Sequence, residues 1–235
     1  MILQVNDLNA AYGKIQVLWN VSLGIETSEI VSLIGANGAG KSTLLKSIIG
    51  VVKPRSGSIL FQGSPIGGRR PHSVVGSGIS YVPEGRRLFP IMNVKENLRM
   101  GAPRSCTDLE QRIERVYALF PILEDRRKQA AGTLSGGEQQ MVAIGRALMS
   151  NPKLLLLDEL SFGLSPVMFE RVLTAIQAIR ESKVSILMAE QNSERALEIS
   201  ERSYVMENGR IEFEGKSSEL IGDNRIRAAY LGIAE

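Results

Sequence analysis

The chain has 235 residues, 43% of them hydrophobic, with 28 basic and 25 acidic side chains and a net charge of +3. That length supplies a substantial core, and so small a positive excess does not make a nucleic-acid surface. The basic clusters Arg69–Arg70, Arg86–Arg87 and Arg126–Lys128 are short and scattered, and read as solvated surface before contacts to phosphate or to a partner.

Cys106 is the only cysteine, so no internal disulfide forms and a reducing compartment is expected. The opening MILQVNDLNAAYG has no basic region followed by an apolar stretch, so no secretory signal is expected. Apolar runs such as Leu154–Leu157 are too short to cross a bilayer. A soluble chain is expected, with any membrane role arising through a partner.

In chain order, Ile30, Val31, Leu33 and Ile34 form a short apolar run ending in glycine and predict a buried strand. Leu44, Leu45, Ile48 and Ile49 then recur at helical spacing. Residues 55–63 read as a turn followed by an edge-type strand, and Ile79–Val82 as another strand. From about 93 to 130 the pattern turns helical. Asn93 with Glu96, and Thr107 with Glu110, have the spacing of a helix-opening capping box. Ile113, Val116, Tyr117 and Phe120 mark one apolar face. Then Leu154–Leu157 predicts a buried strand, Phe169, Val172, Leu173, Ile176 and Ile179 a helix, and Val184–Ala189 a further strand. Asn208-Gly209 between Tyr204–Glu207 and Arg210–Glu214 signals a hairpin. Strands alternating with helices imply a largely parallel sheet covered on both faces.

Two glycine-rich strings carry the chemistry. Gly35, Gly40, Lys41 and Ser42 in GANGAGKST fit G-x-x-x-x-G-K-[ST], with a strand before and a helix after. Such a loop wraps its backbone N–H groups around phosphates, here through Gly35, Asn37, Gly38, Ala39, Gly40, Lys41, Ser42 and Thr43, and the helix presents its positive end. Lys41 is expected at the β- and γ-phosphates of ATP and the Ser42 hydroxyl on Mg²⁺. After the apolar run 154–157, Asp158 is placed to hold Mg²⁺ and Glu159 to take the proton of the attacking water. The second string, LSGGEQQ at 134–140, opens another helix. Ser135 alone is a good N-cap. With Gly136 and Gly137 it makes a second anion site without an evident use in its own chain, which makes sense if it serves an opposing subunit.

The phosphate loop, helical insert, LSGGEQQ and metal strand, in that order, resemble the ATP-binding cassette (ABC) family over essentially the whole chain. The resemblance implies an α/β fold. It has a P-loop NTPase core with a mostly parallel sheet, an antiparallel β subdomain and an inserted helical subdomain. One ABC ATPase domain spans residues 1–235, with the insert at roughly 90–150. Tyr12 falls where the family stacks an aromatic on adenine, its other reading being a strand-end core aromatic. Glu84, in YVPEGRRLFP, replaces a usual glutamine. It either approaches Mg²⁺ or water, or points to solvent or pairs with Arg86 or Arg87. Gln191 in ILMAEQN replaces the switch histidine and can donate to the γ-phosphate but cannot titrate. The one histidine, His72, lies in a surface-like loop. Leu160 and Ser165 stand where proline and aspartate are usual.

YVPEGRR together with AEQN resembles the ATPase subunits of branched-chain amino-acid importers. The resemblance implies a second ATPase subunit, of a different chain, across the ATP sites. It also implies two transmembrane permease subunits, an external solute-binding protein and a cytoplasmic position on the inner face of the membrane. ATPases of urea or amide importers are close alternatives. A soluble ABC ATPase is a separate reading, although neither a long coiled-coil insert nor a second cassette is present. A regulatory subunit with little hydrolysis is favoured by the missing histidine and opposed by Lys41, Asp158, Glu159 and Ser135. A small-molecule kinase would not need residues 134–140. The segment from Lys216 to Glu235 reads as short helical packing.

Overall fold

The computed structural model describes residues 1–222. The chain begins with a long antiparallel hairpin, β1 (Leu3–Tyr12) and β2 (Ile15–Ile25). β3 (Ile30–Ile34) then leads through the glycine loop into α1 (Lys41–Ile48). β4 (Ser56–Phe61) and β5 (Ser64–Pro65) complete a four-stranded sheet in the order β2-β1-β4-β5. The strand expected at the edge, β4, is therefore paired on both sides. The two-residue β5 takes the outer place, where a proline costs no ladder hydrogen bond.

Next come α2 (Pro71–Gly76), β6 (Ile79–Val82) and a run of helices: α3 (Val94–Arg99), α4 (Leu109–Leu119), α5 (Pro121–Asp125) and α6 (Gly136–Leu148). α3 opens with the expected capping box between Asn93 and Glu96. α4 does not use Thr107. Asp108 is its N-cap, and the Asp108 carboxylate is held 2.9 Å from Arg112 Nε, one turn on, while Glu110 reaches Lys95. His72 lies not in a loop but in the first turn of α2, exposed. Beyond the insert, β7 (Leu154–Asp158), α7 (Pro166–Glu181), β8 (Ser185–Glu190), α8 (Ser193–Ile199), β9 (Arg202–Glu207), β10 (Arg210–Lys216) and α9 (Ser217–Gly222) follow. Lys216 thus ends a strand and α9 is the short helix read there. Residues 223–235 of that segment lie outside the described residues.

The second sheet runs β10-β9-β3-β8-β7-β6, parallel throughout except for β10. Its central strands are buried along their whole length and largely apolar because both faces are covered, with Ser32 the one polar residue inside β3, bonded to Ser203. Leu154 and Leu156 of β7 pack with Val31, Leu33 and Leu187 against α1 and the antiparallel sheet. Leu155 and Leu157 point the other way, with Ile34, Ile186 and Met188, into the layer built by α3 to α7. The carboxyl ends of β3, β7 and β8 therefore open at one edge between two solid layers, where open parallel sheets bind ligands.

The β9–β10 hairpin turns at Asn208 and Gly209, with φ of 46° and 78°, the double left-handed turn expected of Asn-Gly. It also clamps the glycine loop. Gly209 donates to the Ala39 carbonyl and accepts from the Trp19 N–H, at 2.8 Å each. A Cβ at Gly209 would lie 1.9 Å from the Val17 carbonyl oxygen, so only glycine fits.

Candidate functional site

The loop from Gly35 to Gly40 bends back over the end of β3, with Gly38 and Gly40 at φ of 84° and 110°. The first N–H groups of α1 have no carbonyl one turn earlier to accept them and face the mouth of the loop. Asn37, Gly38, Ala39, Gly40, Lys41, Ser42, Thr43, Val17, Glu84, Glu159, Phe162 and Gln191 line one cavity of about 470 Å³. A larger cleft of about 640 Å³ lies between α4 and α7, beside Lys153 and Val184 at the amino ends of β7 and β8. It is remote from the loop and has no phosphate-binding backbone.

Lys41 is buried, and its ammonium donates to the carbonyls of Gly35 (2.7 Å) and Ala36 (3.2 Å). It also pairs with Glu159 at 2.9 Å, an ion pair largely withdrawn from water. Ser42 Oγ donates to Asp158 Oδ1 at 2.9 Å. Tyr81 donates to the other carboxylate oxygen at 2.7 Å. Burial, then the Asp158 charge, pushes the Tyr81 hydroxyl far above its ordinary value, so it remains a neutral donor. Glu159 sits at φ 50°, a left-handed conformation rare outside glycine. Its N–H donates to the Ala189 carbonyl at 2.9 Å and its carbonyl accepts from Phe162, which together hold the turn.

This donor set suits ATP with Mg²⁺. Backbone N–H groups and a buried ammonium face phosphate, and a hydroxyl beside a carboxylate is the oxygen pair a hard cation takes. Among the described residues no group of three or more His, Cys, Asp or Glu could hold a metal. A Mg²⁺ here would share its coordination with substrate phosphates, as is usual for that ion.

Other residues fall outside this cavity. Tyr12, half exposed at the end of β1, does not line it, whereas Val17 of β2 does. Glu84 and Gln191 line it, both exposed. Among the described residues no ion pair joins Glu84 to Arg86 or Arg87. Arg86 donates instead to Gln139 of α6 and to the carbonyls of Phe162 and Gly163. Ser135, Gly136 and Gly137 open α6 away from the cavity. Ser135 caps the helix in a capping box with Glu138. The paired glycines do have a use within the chain: a Cβ at Gly137 would lie 2.3 Å from Met168 Cε, and one at Gly136 3.1 Å from the Arg86 guanidinium.

Sequence reasoning missed Tyr81, Ser161 and Glu190. Glu190 ends β8 fully buried, accepting from the Ser161 N–H (3.1 Å) and hydroxyl (2.7 Å). Burial, reinforced by the Glu159 charge and opposed by the Ser161 hydrogen bonds, pushes its carboxyl up to about 7. The one available signal was a carboxylate at the end of an otherwise apolar strand.

The sequence model of the ABC transporter family matches residues 18–161. A protein from Pseudomonas aeruginosa described as the high-affinity branched-chain amino acid transport ATP-binding protein BraG is 46% identical, over 98% of this chain and all of its own. The probable branched-chain amino acid transport ATP-binding protein LivF of Archaeoglobus fulgidus is 37% identical over the full length of both. LptB, the lipopolysaccharide export system ATP-binding protein of Escherichia coli K12, is 33% identical over 98% of this chain and 97% of its own. Among solved structures, a nucleotide-free ATP-binding cassette superposes with a TM-score of 0.87 at 26% identity, covering 100% and 99% of the two chains. A dimeric cassette in a post-hydrolysis state, bound to ADP and Pi, gives 0.82 at 25%, covering 92% and 99%.

The chain belongs to the ABC transporter family and is an ATP-binding, ATP-hydrolysing subunit of it. In sequence it resembles the branched-chain amino-acid ATPases more than the lipopolysaccharide exporter's ATPase. No helix among the described residues is long and apolar enough to cross a membrane.

Proposed function

We propose that this chain, as one ABC ATPase domain over 1–235 with a helical insert at roughly 90–150, drives import of branched-chain amino acids. The observation that carries the catalytic part is the convergence of Lys41, Ser42, Asp158 and Glu159 at the carboxyl edge of the parallel sheet. The end-to-end likeness to BraG supports the solute class. Export finds weaker support in the likeness to LptB.

The phosphates of ATP lie along residues 35–43, where backbone N–H groups bind them; Val17, which lines the same cavity, flanks the base, and Tyr12, at the end of β1 and outside that cavity, stacks on it. Lys41 exchanges its carbonyl and Glu159 partners for the β- and γ-phosphates, which frees Glu159. Ser42 and Asp158, with Glu84 at the rim, would hold Mg²⁺. When bound there, the ion would supply positive charge against the phosphates of ATP. Tyr81 keeps the Asp158 carboxylate oriented. Glu159 then accepts the proton of the attacking water, and Gln191 donates to the γ-phosphate.

Ser135, Gly136 and Gly137 lie outside their own chain's cavity, so they serve the ATP of a second ATPase subunit, a different chain. Closing that pair around ATP and reopening it after hydrolysis moves two transmembrane permease subunits, fed by a solute-binding protein, with this chain on the inner face of the membrane.

Uptake of labelled leucine, isoleucine and valine is the test, in cells lacking the chain and rescued with wild type or Glu159→Gln. Uptake is expected to return with wild type alone. The purified Glu159→Gln variant is expected to bind ATP normally and hydrolyse it about 10²–10⁴-fold more slowly. Normal uptake in cells lacking the chain would remove the branched-chain assignment, and unchanged turnover would remove Glu159 as the base.

A further inference from the structure

Glu159 occupies an unfavourable backbone conformation on a turn whose next residues, Leu160 to Ser165, leave the sheet for α7. Such a turn keeps one geometry only if its surroundings hold it there. Two sets of bonds do so. The first is the main-chain bond from Glu159 to the Ala189 carbonyl at the end of β8. The second belongs to the next residue of β8. The buried Glu190 carboxylate reaches across and takes both the N–H and the hydroxyl of Ser161, two residues after Glu159. No cation among the described residues pairs with Glu190, so burying it serves no ion pair. Its exposed neighbour Gln191 lines the nucleotide cavity.

We infer that Glu190 is a positioning residue for ATP hydrolysis, bracing the turn 159–161 so that the Glu159 carboxylate is held at the γ-phosphate end of the cavity. Its fork of two hydrogen bonds fixes Ser161, and through the short Glu159–Ser161 turn it fixes the base. Because Gln191 follows directly in the chain, the brace also ties the residue facing the phosphate to the residue that accepts the proton. The inference rests on Glu159 being that base.

The test measures steady-state ATP hydrolysis and binding of a fluorescent ATP analogue for wild type, Glu190→Ala, Glu190→Gln, Ser161→Ala, Glu190→Ala/Ser161→Ala and Glu159→Gln. Loss of the brace misplaces the base without touching the phosphate loop. Glu190→Ala and Ser161→Ala are therefore expected to lower kcat, by about 10-fold to 100-fold for the former, with nucleotide affinity and KM within about 2-fold. The double variant is expected to be no worse than Glu190→Ala, because Glu190→Ala already removes both bonds of the fork, including the hydroxyl bond that Ser161→Ala removes. Glu190→Gln keeps an acceptor for the Ser161 N–H and a donor for its hydroxyl, and is expected to restore most of kcat. Wild-type kcat in both Glu190→Ala and Ser161→Ala overturns the inference. If Glu190→Ala does not fold, wild-type kcat in Ser161→Ala alone overturns it. Equal loss in Glu190→Gln and Glu190→Ala overturns it too. Full activity in Glu159→Gln would instead strike at the assignment of the base.

Discussion

Glu190 shows how one side chain carries information that its neighbours in sequence do not. Its carboxyl titrates near 7, against 4.5 in an unstructured chain, because burial disfavours the charge and Glu159, itself paired with Lys41, adds like charge. Between those values the folded chain holds a proton that the unfolded chain has released. Stability from this group is thus complete below about pH 4.5 and lost as pH rises through about 7. The neutral Glu190→Gln variant escapes that loss. Its stability relative to wild type, measured by thermal unfolding, is expected to rise between pH 5 and pH 8 by at most about 3 kcal/mol. A difference independent of pH would mean that Glu190 does not titrate in this window. Lys41, Ser42, Asp158 and Glu159 were legible as a set because a phosphate loop and a strand-ending acidic pair have fixed local grammar. Glu190 and Tyr81 were not, because their partners lie 29 and 77 residues away in the chain.

The elements were legible where one period held over the whole element. The central strands β3, β7 and β8 declare themselves as apolar runs, and α7 as a spaced apolar stripe. β1 and β2 do not, since register shifts between Val5 and Leu8 and again up to Ala11 break the alternation. Spacing alone puts the start of α4 at Thr107, whereas the helical bonds begin at Asp108, whose carbonyl accepts from the Arg112 N–H at 3.0 Å and whose side chain caps no N–H. At the start of α6, local reading explains only half of the glycine pair. Gly137 is needed where α6 crosses α7 on Met168. Gly137→Ala is expected to destabilise the chain by about 1–3 kcal/mol through overpacking. Adding Met168→Ala is expected to recover part of it. Thermal unfolding without nucleotide reads this directly, and an unchanged midpoint would show that the helices separate freely here.

At the scale of the molecule, two layers enclose the parallel sheet and leave its carboxyl edge open, with the phosphate cavity on it and the Ser135 helix end standing apart. That separation predicts assembly. In Glu159→Gln, in which hydrolysis is expected to be slow, ATP with Mg²⁺ is expected to raise the mass seen by light scattering to that of a pair, with the chain alone or mixed with the second ATPase chain proposed above. Ser135→Arg is expected to abolish the shift while leaving binding of ATP to the single chain intact. A pair that forms equally well without ATP would contradict this arrangement.

By itself, the sequence determined the fold class and the phosphate chemistry, because a glycine loop between strand and helix, or a carboxylate pair after an apolar strand, is specified by residues a few positions apart. Tertiary structure alone decided which distant groups complete the site. It brings Tyr81 to Asp158, Glu190 to Ser161, the Gly209 turn onto the loop at Ala39, and Met168 into the space left by Gly137. Those contacts depend on strand order and helix crossing, and neither leaves a periodic mark in the chain. Strands β7 and β8 are neighbours because their buried faces fit between the same two layers, and only that adjacency sets Glu190 beside the turn that carries Glu159.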